Sequence, residues 1–73
     1  MARREIRSEI TGALWKLSKK VGEGVEQDEP IMILESMKME IPVMADASGK
    51  VVDILVKEGE SVAEGQVVAV LEV

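Results

Sequence analysis

The chain contains no cysteine, histidine, tyrosine or phenylalanine, and Trp15 is its only aromatic residue. Without cysteine, a disulfide framework and a thiol nucleophile are excluded, and the usual ligands of a structural zinc site are missing. A chain of 73 residues is near the lower size limit for an unaided core. That core must come from aliphatic side chains, many of them valine and isoleucine, which favour β-strands.

Basic charge is also scarce, because 9 Lys and Arg residues face 14 Asp and Glu residues, giving a net charge of -5. Nucleic-acid binding needs a concentrated basic surface, so we expect no nucleic-acid partner. We interpret Arg3, Arg4 and Arg7 as a solvated chain end. No hydrophobic run is long enough to cross a membrane, and no signal peptide is recognisable. The sequence therefore predicts one cytoplasmic domain, residues 1–73, without a membrane partner.

An internal repeat relates positions that lie 37 residues apart, as Gly12 and Gly49 do. Other identical pairs at this offset are Lys20 and Lys57, Gly22-Glu23 and Gly59-Glu60, Val25 and Val62, and Leu34-Glu35 and Leu71-Glu72. The halves cover about residues 6–36 and 43–73 and are joined by Met37-Lys38. Two matching halves in one small domain predict an approximate two-fold axis. They also place Met37-Lys38 and the chain termini at opposite ends of the molecule.

Short strands separated by turn residues occupy both halves. The predicted strands are Glu5–Ile10, Ala13–Lys19, Ile31–Ser36, Met39–Met44, Val51–Lys57 and Val67–Val73, with Val25 and Val62 in very short strands or as inward-pointing anchors. Gly12 and Gly49 are predicted to mark bends, and Asp28 to take the left-handed backbone angles that glycine usually supplies. This pattern predicts an all-β fold, a flattened antiparallel barrel or sandwich of two small sheets with pseudo-two-fold symmetry.

The connection between two of these strands has unfavourable turn chemistry. Only Met37 and Lys38 separate the strands, which predicts a two-residue hairpin. Such turns normally contain Asn, Asp or Gly, because their central residues need positive φ. A helix is disfavoured here, because Pro30 and Pro42 bracket the segment. We interpret the misfit as a sign that function selected these residues.

Each residue near the turn also has a plain structural interpretation. A lone lysine is usually a solvated surface charge, and Glu35 and Glu40 are expected to be solvated as well. Methionines usually fill cores, which is the role we predict for Met32 and Met44. Met37 and Met39 flank an exposed tip that has no core to fill, so a core-filling role does not explain them.

Glu35-Ser36-Met37-Lys38-Met39 resembles the attachment signature of biotinyl domains, Glu-Ala/Ser-Met-Lys-Met, whose lysine carries biotin. Gly12-Ala13-Leu14-Trp15-Lys16 is similar to the family's early Gly-x-x-Trp-Lys segment. The second-half turns at Ser48–Val51 and Gly59–Gln66 are similar too. The resemblance covers residues 6–73 and is strongest to the stand-alone biotin/lipoyl attachment proteins. Glu9-Ile10-Thr11, where the family often has Pro-Met, and Asp28, where glycine is common, depart from it.

The resemblance implies a barrel-sandwich hybrid fold and a carrier rather than an enzyme. Lys38 would be the covalent attachment point of biotin, Met37 and Met39 would serve ligase recognition and presentation, and Glu35 would be a lesser recognition residue. The implied partners are biotin protein ligase, a biotin carboxylase and a carboxyltransferase, between which Lys38 would carry the carboxybiotin group. A free lysine amine is unprotonated in about one molecule in 2,500 at pH 7. With no histidine or cysteine as base, acylation needs a separate enzyme.

Other functions stay open on the sequence. A lipoyl carrier shares the fold and the lysine position, although lipoyl domains usually have an acidic residue where Met37 stands, and a dual biotin/lipoyl acceptor is a variant of it. An unmodified β-sandwich that acts only as a scaffold belongs to a different class. A hydrolytic or transferase enzyme is disfavoured, because no nucleophile–base pair can be assigned. No metal site is predicted.

Overall fold

A computed structural model describes residues 2–73 as an all-β molecule with two antiparallel four-stranded sheets. The strands are β1 (Arg3–Arg7), β2 (Gly12–Leu17), β3 (Gly24–Val25), β4 (Pro30–Ser36), β5 (Met39–Met44), β6 (Gly49–Ile54), β7 (Ser61–Val62) and β8 (Val67–Glu72). One sheet has the order β1-β8-β6-β3 and the other β5-β4-β2-β7. The predicted fold class is confirmed. No helix within residues 2–73 is long and apolar enough to cross a membrane.

The predicted pseudo-two-fold symmetry is confirmed strand by strand. A shift of 37 residues carries β1, β2, β3 and β4 onto β5, β6, β7 and β8, and it converts the order of the first sheet into the order of the second. The β-bulges obey the same 37-residue shift, because the bulge at Trp15 in β2 is matched by one at Val52 in β6. Each sheet therefore contains strands from both halves of the chain.

The core between the sheets is aliphatic, as the composition required. Val25 and Val62 are buried and act as the inward-pointing anchors predicted for β3 and β7. Met32 is fully buried, as predicted, whereas the prediction for Met44 is wrong, since 45% of Met44 is exposed. Met44 follows the inward-pointing Val43 in an edge strand, and the alternation of a strand turns it outward.

The first strand lies earlier in the chain than the prediction Glu5–Ile10. It ends at Arg7, because the chain turns at the buried residue Ser8. The Ser8 hydroxyl donates to the Ile10 carbonyl at 2.6 Å and accepts from the Ile10 amide at 3.2 Å. The arginines interpreted as a solvated chain end therefore belong to a strand paired with β8, although their side chains are exposed.

Gly12 and Gly49 begin β2 and β6, and the prediction that they mark bends is corrected accordingly. Their role is close approach of neighbouring strands. A Cβ at Gly12 would lie 2.5 Å from the Glu35 carbonyl oxygen, and a Cβ at Gly49 would clash with the Glu72 carbonyl in the same way. Gly12 therefore allows β2 to lie tightly against the end of β4, just before the Met37-Lys38 turn.

Two equivalent turns show what the repeat requires locally. Asp28 has φ 68° where its counterpart Gly65 has φ 85°, which confirms the left-handed assignment. The next residues, Glu29 and Gln66, each accept a backbone hydrogen bond through Oε1, at 3.1 and 2.9 Å. The hydrogen bond from the Glu26 amide is the main cause that lowers the pKa of the Glu29 carboxyl. The ion pair with Lys19 lowers this pKa further. Because neutral Gln66 serves equally, the turn needs an acceptor oxygen and not a charge.

The hairpin and the chain termini occupy equivalent places in the two halves. Ser36 pairs with Met39 across the hairpin, and the equivalent residues Val73 and Ala2 exchange backbone hydrogen bonds of 2.9 and 3.3 Å. The hairpin base contacts Gly12, whereas the terminal pair lies beside Gly49. The hairpin belongs to the second sheet and the terminal pair to the first, and their placement at opposite ends of the molecule stays a prediction.

Candidate functional site

The β4–β5 hairpin has the two-residue turn expected from the sequence. Ser36 and Met39 form the last pair of the ladder, which leaves Met37 and Lys38 as the turn. Their φ angles are 52° and 65°, as a type I′ turn requires. Left-handed angles cost a residue with a side chain about 1–2 kcal/mol. Residues poorly suited to the turn are therefore held there by the surrounding sheet, as is typical of functional sites.

The turn projects outward from the molecule. Met37 is 92% exposed and Met39 60% exposed. Lys38 between them is exposed as well. Two shallow depressions of about 160 and 300 Å³ share the lining residues Arg7 to Glu9 and Met44, and neither is lined by any residue of the turn. The lysine therefore lies on a convex tip, and its amine can enter the active site of another protein.

Contacts at the base hold the tip in place. The Ser36 hydroxyl donates to the Thr11 carbonyl at 3.0 Å, next to the tight approach at Gly12. Strand β4 lies between β5 and β2, and its residue Leu34 is fully buried. The exposed turn thus continues directly from a strand that is anchored in the core, and this restricts the position of Lys38.

Two carboxylates lie opposite each other just below the turn. Glu35 and Glu40 are cross-strand partners, and both are exposed. Neither forms an ion pair with another residue of the described part of the chain. Like charges directly opposite each other on neighbouring strands are destabilising. The sequence analysis did not predict this pairing, although the two-residue turn implies it.

We expect Met37→Asn to raise the free energy of unfolding by about 0.5–1 kcal/mol, because asparagine tolerates left-handed backbone angles better than methionine. Urea unfolding monitored by circular dichroism measures the change. Met39→Asn is the control, since Met39 is also an exposed methionine beside Lys38 but lies in strand β5, and it should give no gain. A loss of stability in Met37→Asn would contradict the strain argument.

Comparison with known proteins places these features in a family. Residues 5–71 match the Biotin_lipoyl family model, described as "Biotin-requiring enzyme". The biotin/lipoyl attachment protein of Bacillus subtilis is 49% identical over 59 residues, which cover 81% of each chain. The biotin carboxyl carrier protein of acetyl-CoA carboxylase from Solanum lycopersicum is 44% identical over 56 residues, covering 77% of this chain and 80% of that protein.

A solved structure shows the same fold. The Kluyveromyces lactis urea carboxylase matches with a TM-score of 0.93 and 42% sequence identity, over 99% of this chain. This chain spans 6% of that much longer protein. The chain thus combines a family match over residues 5–71 with the barrel-sandwich architecture and the Met-Lys-Met hairpin. The chain belongs to the biotin/lipoyl attachment domain family.

Proposed function

We propose that residues 1–73 act as one biotin carrier domain and that a biotin protein ligase acylates the Nζ atom of Lys38. The observation that carries the proposal is the position of Lys38, exposed at the tip of a strained hairpin between two exposed methionines. No residue of the described range 2–73 buries this tip, so its geometry fits a lysine that must enter one active site to be modified and others to be used. The Glu-Ser-Met-Lys-Met sequence supports the same assignment.

The acylation needs chemistry that this chain does not supply. The neutral Lys38 amine attacks the acyl carbon of a biotinyl adenylate held by the ligase, an amide bond forms, and AMP leaves. The amine loses a proton in the process, and the ligase must provide the base, because the chain contains no histidine or cysteine. The contribution of this domain is to present the nucleophile on a rigid support.

The attached group supplies the later chemistry, which is the transfer of a carboxyl group between a biotin carboxylase and a carboxyltransferase. The domain contributes an exposed attachment point and a high local concentration of the group at both sites. It acts as a carrier and not as an enzyme. The proposal includes the cytoplasmic location expected from the sequence.

Met37 and Met39 are the proposed recognition and presentation residues on either side of the acceptor. Their exposed side chains give a ligase an apolar surface that immediately flanks the amine. Glu35 lies at the base of the same hairpin, paired with Glu40. We propose that Glu35 contributes to recognition in a lesser role than the two methionines, as predicted from the sequence, and that Glu40 contributes less than Glu35.

A lipoyl carrier is the second candidate, because the family model covers both kinds of domain. The name of the Bacillus subtilis relative likewise includes both groups. Met37 favours biotin, because lipoyl domains usually have an acidic residue directly before the lysine. A dual acceptor combines the two assignments.

Co-expression of the wild-type chain with a biotin protein ligase tests the proposal. We expect one biotinyl group by intact mass, located on Lys38 by peptide mapping and absent from the other lysines. A parallel reaction with a lipoate ligase is expected to give little or no product. An unmodified chain after ligase treatment would favour the scaffold alternative, and lipoylation without biotinylation would favour the lipoyl carrier.

A further inference from the structure

The repeat allows the outer faces of the two sheets to be compared position by position. Cross-strand partners lie on the same face of a sheet, so the registers define each face. The outer face of the first sheet carries six charged residues, namely Arg3, Glu5, Arg7, Lys50, Asp53 and Glu72. The equivalent residues of the second sheet are Glu40, Pro42, Met44, Ala13, Lys16 and Glu35. Half of the positions that are charged in the first sheet are thus apolar in the second. We call this outer face of the second sheet, which adjoins Lys38, the hairpin face.

Trp15 has no partner in the register, but its exposure next to the fully buried Leu14 assigns it to the outer side of β2 and therefore to the hairpin face. It occupies the bulge of β2, beside Lys16, whose partner is Ile33. Its exposure is 48%, and its counterpart Val52 occupies the same bulge in the other half. A valine at this position of the bulge is therefore compatible with the fold. A half-exposed tryptophan on a partly apolar face provides a large area for burial against a partner, and buried tryptophans dominate many interfaces.

Two carboxylates remain on the hairpin face and complement a basic partner, whereas Lys16 is the one cation among the compared positions. Glu35 and Glu40 are the end of this face nearest to Lys38, and their mutual repulsion is not relieved within the described residues. A basic side chain from a partner, placed between the two carboxylates, would relieve it. The net charge of -5 favours the same kind of partner.

We propose that the hairpin face is the docking surface for the biotin protein ligase, with Trp15 as its apolar anchor and the Glu35–Glu40 pair contacting a basic group. This inference rests on the proposed function. Before acylation there is no cofactor to recognise, and the ligase must select one of the lysines from the polypeptide alone. A two-residue turn offers few contacts, whereas the adjoining face supplies apolar and acidic contacts at a fixed distance from Lys38. Carboxylase components, by contrast, can bind the attached group itself.

Ligase kinetics with Trp15→Val test the anchor, since valine is what the chain itself places at the equivalent bulge. We expect KM for the carrier to rise about tenfold or more, with kcat little changed, because the substitution removes binding area and leaves the acceptor intact. Val52→Ala, on the charged face, is the matched control and should keep the wild-type KM. Circular dichroism establishes that both variants are folded.

A direct measurement does not depend on any Trp15 variant folding. Trp15 is the only tryptophan, so a 5-fluorotryptophan-labelled carrier gives a single fluorine resonance. In the Lys38→Arg background, which blocks turnover, addition of unlabelled ligase should shift and broaden this resonance, and the indole should become protected from solvent. A carrier that binds the ligase without any change in this resonance would overturn the proposal.

The outcomes separate this inference from the proposed function. Wild-type carrier that gains no biotin refutes the proposed function itself. If the wild-type carrier is biotinylated normally and Trp15→Val has the same KM, the proposed function stands and the docking surface is overturned. A Trp15→Val defect found only with carboxylase components, after normal biotinylation, would reassign the face and also overturn the ligase proposal.

Discussion

Lys38→Arg should take up no biotin when the chain is co-expressed with a biotin protein ligase, whereas the wild-type chain should be labelled. Arginine keeps the positive charge and much of the length, but its guanidinium stays protonated at neutral pH and provides no free amine. The change leaves the exposed turn otherwise similar, so a lost acceptor is the expected cause of the lost labelling. Streptavidin blotting and intact mass measure the result.

Lys50→Arg provides the control for this prediction. Lys50 is exposed on the charged face of the first sheet, away from the hairpin, and its replacement should leave biotin uptake at the wild-type level. Biotin recovered on another lysine of Lys38→Arg would mean that the ligase reads a wider patch than one side chain. Full labelling of Lys38→Arg would refute Lys38 as the acceptor.

Leu34→Ala and Leu71→Ala should each lower the free energy of unfolding by about 2–5 kcal/mol, because each removes a fully buried side chain and leaves a cavity. A chain of this size is expected to have a total stability of about 4–11 kcal/mol, so either variant loses a large fraction of it. The two leucines are equivalent under the repeat, and we expect similar losses from both. Urea unfolding at low temperature measures them.

This pair of variants also separates stability from presentation. Leu34 precedes Glu35 directly below the hairpin, whereas Leu71 lies below the chain termini. Under conditions in which both variants are folded, Leu34→Ala should be biotinylated more slowly than Leu71→Ala. Ile33→Ala, at a half-buried outer position, is the milder control. A much smaller stability loss in Leu71→Ala would contradict an equal contribution of the two halves to the core.

Local and periodic features were readable from the sequence. The 37-residue offset predicted the symmetry, because identical local patterns form equivalent strands and turns. Asp28 was assigned to a left-handed turn from residue chemistry and an equivalent glycine. The two-residue turn at Met37 and Lys38 followed from the spacing of the flanking strands. Each of these depends on local residue chemistry or on the repeat, and both can be read along the chain.

Features that depend on contacts across the sheets were missed or misassigned. Gly12 was predicted to form a bend, but it is required by the approach of the Glu35 carbonyl, 23 residues later in the chain. Met44 was placed in the core by its residue type, whereas the register of an edge strand exposes it. The early end of β1 depends on the hydrogen bonds of the buried Ser8 hydroxyl.

The sequence by itself determined an aliphatic all-β molecule with two equivalent halves and one lysine in an unfavourable turn between them. Local turn chemistry, side-chain alternation and the repeat were sufficient for that. Only the tertiary structure decided that β2 lies beside β4, and that Trp15 lies exposed in a bulge of β2. These features follow from strand register and from which strands lie side by side, and long-range packing sets both.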